Sequence, residues 1–263
     1  MASAQHVKVM TYNIRLDTPA DGVNAWPNRI DRVGQLIQRY SPDVLGVQEA
    51  LHHQLTDLLR ILPEYSYVGV GRDDGHEKGE YSAILYKHAR FGLLANNTFW
   101  LSETPEVPGS KHWDAAITRV ATWARLYDKE SNFEFIILNT HFDHIGKSAR
   151  ARSAALIKSK LPELSHSKPI IITGDFNCTI QEDAYSVMVD TQEPVLFDAS
   201  KGRHTGTFCG FEVGAMTCVH IDYIFHSAEW KVWYQRVFDI NDGKYYPSDH
   251  LPVMAELELI KEN

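Results

Sequence analysis

Residues 168–177 read KPIIITGDFN. The isoleucines Ile170, Ile171 and Ile172 do not alternate with polar residues, so the strand they form is covered on both faces, as in the middle of an α/β sheet. The apolar run stops at Asp175, Phe176 and Asn177. A rigid strand that delivers an acid and an amide at its tip can hold reactive groups in fixed geometry.

The same arrangement recurs along the chain. VKVMTYN (7–13) is an apolar strand ending in Asn13, DVLGVQE (43–49) ends in Glu49, and FEFIILNTH (133–141) ends in His141. HIDYIF (220–225) carries Asp222. In YYPSDHLPVMAELEL (245–259), Asp249 and His250 stand at the mouth of a strand. There Leu251, Val253, Ala255, Leu257 and Leu259 alternate with Pro252, Met254, Glu256 and Glu258, the period of a half-buried strand. One polar strand end means little, because loops are polar anyway. The repetition, with these residue types, is what points to a site.

Between these strands lie helices. RIDRVGQLIQRY (29–40) has a helical stripe of Ile30, Val33, Leu36 and Ile37. HQLTDLLRIL (53–62) is closed by Pro63, and further helices are expected over Ser148–Leu164 and EDAYSVMV (182–189). YSYVGVG (65–71), YSAILY (81–86), ATWARLYD (121–128) and WKVWYQRV (230–237) read as additional strands. LSETPEVPGSKHWDAAITR (101–119) is the longest loop, and long loops in compact domains are often functional. With no linker or repeat, the pattern describes one α/β domain over residues 1–263, with two packed sheets and helices outside.

Composition narrows the function. The chain has 263 residues, 44% hydrophobic and 23% charged, with a formal net charge of -8. A protein that grips long nucleic acid needs a basic stripe. The nearest candidate, GKSARARSAALIKSKL (146–161), reads as the solvated face of a helix. No apolar run is long enough to span a membrane. The start, MASAQHVKVM, has neither the basic nor the apolar region of a signal peptide. The expectation is therefore a cytoplasmic protein as the sequence stands, secreted or periplasmic if a leader has been removed. Cys178, Cys209 and Cys218 have no C-x-x-C spacing and are read as reduced thiols, with a Cys209–Cys218 bridge as the alternative.

Carboxylates and an asparagine without thiolates make a hard oxygen site, suited to Mg²⁺ or Mn²⁺ rather than zinc. Histidines beside such a site bond phosphate oxygens or move protons, and each needs an orienting acid on its other nitrogen. Asp222 is the candidate for His250, and Glu80 for His141. Together these groups describe metal-assisted attack of water on a phosphate ester.

TYN, QE, NTH, TGDFN, IDYIF and SDHLPV, in this order from Tyr12 to Val253, resemble the endonuclease/exonuclease/phosphatase family. The resemblance implies a four-layer α/β sandwich of two mixed sheets flanked by helices, with the site at one edge of the paired sheets. It implies Glu49 as principal metal ligand, with Asn13 near the metal and Asp249 as a supporting carboxylate or a water-mediated metal ligand. Asp175 is then the group that orients or deprotonates the attacking water, and Asn177 a donor to the phosphate. His250, held by Asp222, contacts the phosphate, and His141 with Glu80 is a second such pair. Arg119 and Trp113 are candidate substrate contacts, weighed against an arginine that bridges strands and a tryptophan that covers the core. His204 and His220 fit no metal spacing.

Two departures bear on the substrate. Arg15 stands where the apurinic endonucleases of the family carry an aspartate, against an abasic-site activity. THFDHIGKSARARSA (140–154) is laid out like the deadenylases, but Asp143 and Ile145 replace basic residues there. The expectation is a Mg²⁺- or Mn²⁺-dependent hydrolase of small or lipid-like phosphate esters. The alternatives are a nuclease for short or single-stranded substrates and a non-catalytic phosphate-binding module.

Overall fold

The computed structural model describes residues 6–260. Residues 1–5, part of the start inspected for a leader, lie outside the described residues. The chain runs β1 (His6–Asn13), α1 (Ile30–Tyr40), β2 (Val44–Ala50), α2 (His52–Ile61), β3 (Tyr65–Val68), β4 (Tyr81–Lys87), β5 (Phe91–Trp100) and β6 (Val120–Asp128). It continues through β7 (Phe133–His141), α3 (Lys147–Ser165), β8 (Ile170–Asp175), α4 (Asp183–Met188), β9 (Phe197–Asp198), β10 (Asp222–His226), β11 (Trp230–Val237) and β12 (Val253–Leu259).

The strands form two six-stranded sheets, ordered β11-β12-β1-β2-β4-β3 and β5-β6-β7-β8-β10-β9. Each sheet contains one parallel pair, β1 with β2 and β7 with β8, and the other pairings are antiparallel. A parallel pair needs a long crossover. Here α1 crosses from β1 to β2, and α3 from β7 to β8.

The apolar clusters define the layers. Val33, Leu36 and Ile37 of α1 and Leu55 and Leu58 of α2 pack on Met10, Leu45 and Leu85 of the first sheet. Ala154, Ile157 and Leu161 of α3 and Met188 of α4 pack on Ile136, Leu138 and Ile172 of the second. Between the sheets, Val9, Val44, Ile84, Ala255 and Leu257 meet Leu126, Phe135, Ile137 and Ile171. The order is helices, sheet, sheet, helices, a four-layer α/β sandwich. Ile170, Ile171 and Ile172 serve both the central layer and the α3 layer, which is why their run does not alternate.

The central layer is not wholly apolar. Asn139 of β7 donates to the carbonyls of Val47 and Ala83 at 2.8 and 2.9 Å, so it ties the second sheet to the first. Its Oδ1 accepts from Gln48 Nε2 at 2.6 Å and Thr173 Oγ1 at 3.0 Å. Gly46 allows this approach: a Cβ there would lie 2.2 Å from Thr173 Oγ1 and 2.5 Å from Asn139 Oδ1. The network lies directly below the strand ends that carry the site.

Two sequence expectations are corrected. The ten-residue strand β5 was not expected; it is an edge strand with a bulge between Leu93 and Ala95, and its middle is largely exposed. Cys209 and Cys218 form a disulfide rather than reduced thiols, and Cys178 is the buried free cysteine.

Candidate active site

Topology brings the reactive residues together. Both parallel pairs end at the same edge, so Asn13, Glu49, His141 and Asp175 are delivered by the carboxyl ends of β1, β2, β7 and β8. The antiparallel neighbours begin where these strands end. Asp222, which opens β10, is in register with Asp175, and Asp249 and His250 precede β12, which pairs with β1.

Two local backbone features aim the side chains. Glu49 has φ 62° and interrupts the β2–β4 ladder between Val47 and Ala50, and Asn177 has φ 46°. Residues with a Cβ rarely adopt this region, and such outliers concentrate at functional sites.

Asp175 is the focus. It is 1% exposed. Its Oδ2 accepts from Asn13 Nδ2 at 2.9 Å and lies 3.3 Å from His141 Nε2 and 3.6 Å from His250 Nε2. Oδ1 accepts the Asn177 backbone N–H at 2.9 Å. Burial, followed by the charge of Asp222, pushes the Asp175 carboxyl up to about 7, against the opposing pull of His250 and these hydrogen bonds.

The histidines differ. His250 Nδ1 donates to Asp222 Oδ2 at 2.9 Å. Burial opposes its charging, but Asp222 and Asp175 outweigh this and hold it well above the ordinary value. His141 is held well below that value by burial and by the charges of Arg119 and Arg72. Its Nδ1 faces Arg119 Nη1 at 2.9 Å, and Asn177 Nδ2 lies 3.0 Å from Nε2 while donating to the Phe142 carbonyl. Glu80 is therefore not the direct partner of His141. It pairs with Arg72 at 2.5 Å and lies 3.6 Å from Arg119, so the guanidinium stands between acid and imidazole.

Asn13 also differs from its expected role. Its Oδ1 accepts the Arg15 backbone N–H, which leaves Nδ2 toward the acids. It thus bridges Glu49 and Asp175 as a donor, at 3.0 and 2.9 Å, instead of offering them an oxygen neighbour. Trp113 does not line the pocket, and its indole N–H is buried without a partner. Arg119 does line it.

The pocket has a volume of about 380 Å³. Besides the expected residues, Arg15, Leu16, Ile117, His144, Phe208 and Ile221 line it. Phe208 was beyond sequence reasoning, since only the fold brings its ring to His250, tilted at 50° with centroids 4.9 Å apart. Asp143 is no pocket residue: its carboxylate accepts the backbone N–H groups of Ala116, Ile117, Ile145 and Gly146 and shapes the loops around the rim.

The residues fit a divalent cation. Ligand atoms of Glu49, His141 and Asp175 lie within 4.8 Å of one another, as do those of Asp175, Asp222 and His250. Burial and the neighbouring Glu49 raise the Asp249 carboxyl, and Asp222 Oδ1 is buried with no partner. A crowd of buried carboxylates with too little positive charge is relieved by a bound cation.

Comparison with known proteins agrees with this geometry. The sequence profile of the Endonuclease/Exonuclease/phosphatase family matches residues 10–250. The chain belongs to this family. A family member of known structure from Bacteroides vulgatus is 41% identical, with a TM-score of 0.91 over 97% of this chain and 99% of that one. A mannosyl-6-phosphatase from Bacteroides thetaiotaomicron is 38% identical, with a TM-score of 0.88 over 95% of this chain and 99% of that one. An uncharacterised protein of Acanthamoeba polyphaga mimivirus is 28% identical over 96% of this chain and its own full length. Members of this family are hydrolases acting on phosphate esters. Among the described residues, no helix is long and apolar enough to cross a membrane.

Proposed function

We propose that this protein hydrolyses small phosphate esters in the presence of Mg²⁺ or Mn²⁺. The observation that carries the reading is the convergence on Asp175 Oδ2 of Asn13, His141 and His250 within 3.6 Å, beside Glu49.

A buried carboxylate raised to about 7 suits a group that accepts a proton near neutrality. Asp175 orients the attacking water and takes its proton, while the oxygen attacks phosphorus in line with the departing ester oxygen. His250, kept charged and aimed by Asp222, donates to a peripheral phosphate oxygen, and Asn177 and His141 donate beside it. Glu49 with Asp249 would hold the cation, Asn13 fixing the Glu49 carboxylate. The bound cation would neutralise charge on the phosphate oxygens.

The small-ester form rests on size and charge. A pocket of about 380 Å³ accommodates a compact ester, and a chain of net charge -8 offers little to a long polyanion. The activity named for the 38%-identical mannosyl-6-phosphatase supports the same class.

The test is turnover of phosphomonoesters and diesters with Mg²⁺, with Mn²⁺ and with a chelator. Metal-dependent release of phosphate or alcohol is expected, with a loss of about 10²–10⁴ in kcat for Asp175→Asn. A folded Asp175→Asn variant with near-normal kcat, or full activity after exhaustive chelation, would refute the reading.

A further inference from the structure

Arg15 is held more tightly than a surface charge requires. Its φ of 57° lies in the left-handed region, which disfavours any residue with a Cβ. Four contacts impose that conformation. Its N–H donates to Asn13 Oδ1 at 3.0 Å, and its carbonyl accepts from Gln54 Nε2 at 3.0 Å and Arg29 Nη2 at 2.6 Å. Gln54 and Arg29 are themselves fully buried. The fourth contact is the side-chain fork: Nε and Nη2 donate to the two oxygens of Asp21, each at 2.9 Å.

The fork leaves one edge of the guanidinium over. Nη1 makes no hydrogen bond among the described residues and stands 3.7 Å from Glu49 Oε2, while Nε is 3.9 Å from Asp249 Oδ2. Arg15 lines the same pocket as Asp175 and His250. The other pocket arginine, Arg119, is committed to His141 and Glu80. Simple neutralisation of Glu49 and Asp249 would need neither a strained backbone nor a fork. A strained residue over-determined by its surroundings at a site is held for geometry.

We propose that Arg15 selects phosphomonoesters, its Nη1 edge receiving the third peripheral oxygen of a terminal phosphate. This rests on the hydrolase reading above. A monoester near neutrality carries nearly two charges and three peripheral oxygens. In a diester the third oxygen bears the second ester group, so it brings less charge and a bulky substituent to the guanidinium. A planar donor locked by Asp21 discriminates between the two where a mobile lysine would not.

The experiment compares the full chain with Arg15→Gln, Arg15→Lys and Asp21→Asn, using p-nitrophenyl phosphate, bis-p-nitrophenyl phosphate and inorganic phosphate. A charge-assisted hydrogen bond lost with Arg15→Gln should lower kcat/KM on the monoester about 10- to 100-fold, and the diester by a much smaller factor. Arg15→Lys should recover part of the loss, and Asp21→Asn should fall between. Inorganic phosphate, titrated calorimetrically, should bind Arg15→Gln more weakly by a similar factor. Equal losses on both esters, a parent enzyme that prefers diesters, or unchanged phosphate affinity would each overturn the assignment. A parent that turns over neither ester with either cation removes the hydrolase reading, and the phosphate titration then decides the role of Arg15 alone.

Discussion

Arg119 meets His141 at 2.9 Å, Nη1 against Nδ1. A guanidinium has donors only, so Nδ1 must accept, and the ring proton belongs on Nε2, toward Asp175. Burial and the Arg119 charge together keep this imidazole neutral. Replacing Arg119 with Gln removes that charge, so the His141 pKa should rise toward its ordinary 6.5, as followed by ¹⁵N NMR of the imidazole. Activity should fall about 10-fold or more as the ring loses its fixed tautomer. An unshifted His141 titration would show that Arg119 is only a strand bridge.

Asp222 and His250 form the opposite kind of pair, an acid that favours the charged ring. Asp222→Asn should cost nearly as much activity as His250→Ala, because an unoriented imidazole contributes little. The double variant should be no worse than the worse single one, since residues that act as a unit are not additive. Additive losses in kcat/KM would show that the two work separately.

Gly46 and Asn139 hold the sheets together beneath the site. Gly46→Ala drives a methyl group into the Asn139–Thr173 contact and should destabilise by about 1–3 kcal/mol through overpacking. Asn139→Leu removes the donor to the Val47 and Ala83 carbonyls, at about 1–3 kcal/mol for each group left unsatisfied, while Gln48 Nε2 keeps its bond to Thr11 Oγ1. Urea unfolding measures both. A loss confined to activity, with unchanged stability, would contradict the bridging role.

Much of this arrangement was legible beforehand, and particular residues show why. The isoleucines of β8 and the alternation of β12 are strong because burial imposes them directly. Strand ends are legible for the same reason, since an apolar run that stops at an acid marks both an element and a candidate ligand. In FGLLANNTFW the buried residues sit at the two ends of an edge strand, and Leu93 and Leu94 inside it are exposed, so no period of two is visible. Which cation stands beside which acid is set by packing between distant elements. Nothing local in the sequence says that Arg119 separates Glu80 from His141, or that Arg15 forks onto Asp21. The disulfide was an open alternative because its two cysteines lie in an irregular loop, where spacing carries no geometric constraint.

Glu182 links α3 to the segment before α4. Its carboxylate accepts from Arg150 Nη2 at 2.6 Å and from the Thr179 backbone N–H at 3.1 Å. Burial acts to raise its pKa, but Arg150 and the Thr179 N–H outweigh it and hold the carboxyl below the ordinary 4.5. A depressed folded-state value gives stabilisation that is present above the unfolded value and lost as pH falls through the folded one. Glu182→Gln should therefore cost about 1 kcal/mol at neutral pH, the pair being partly screened. That difference should shrink once the pH is taken below 4.5. Urea unfolding of both proteins across pH checks the sign, and a difference that grows on acidification would reverse the argument.

Cys209 and Cys218 clamp the loop against which the His250 segment is seated. Next to the bridge, the N–H groups of Cys209 and Gly210 both donate to the Asp249 carbonyl, and Leu251 N–H donates to the Thr207 carbonyl. Phe208, between these contacts, sets its ring against His250 at a tilt. Opening the bridge frees the loop in the unfolded chain and loosens this seat in the folded one. The double variant Cys209→Ser with Cys218→Ser should lose about 2–3 kcal/mol of stability, the entropic value for so short a loop. Its kcat should fall because His250 is less firmly placed, while the thiol of Cys178 stays buried and unreactive. Thiol titration of the denatured, unreduced parent should find Cys178 alone, with Cys209 and Cys218 appearing only after a reductant is added. Reactive Cys209 and Cys218 in the unreduced protein, or a variant with full stability and full kcat, would show that the bridge does not support the site.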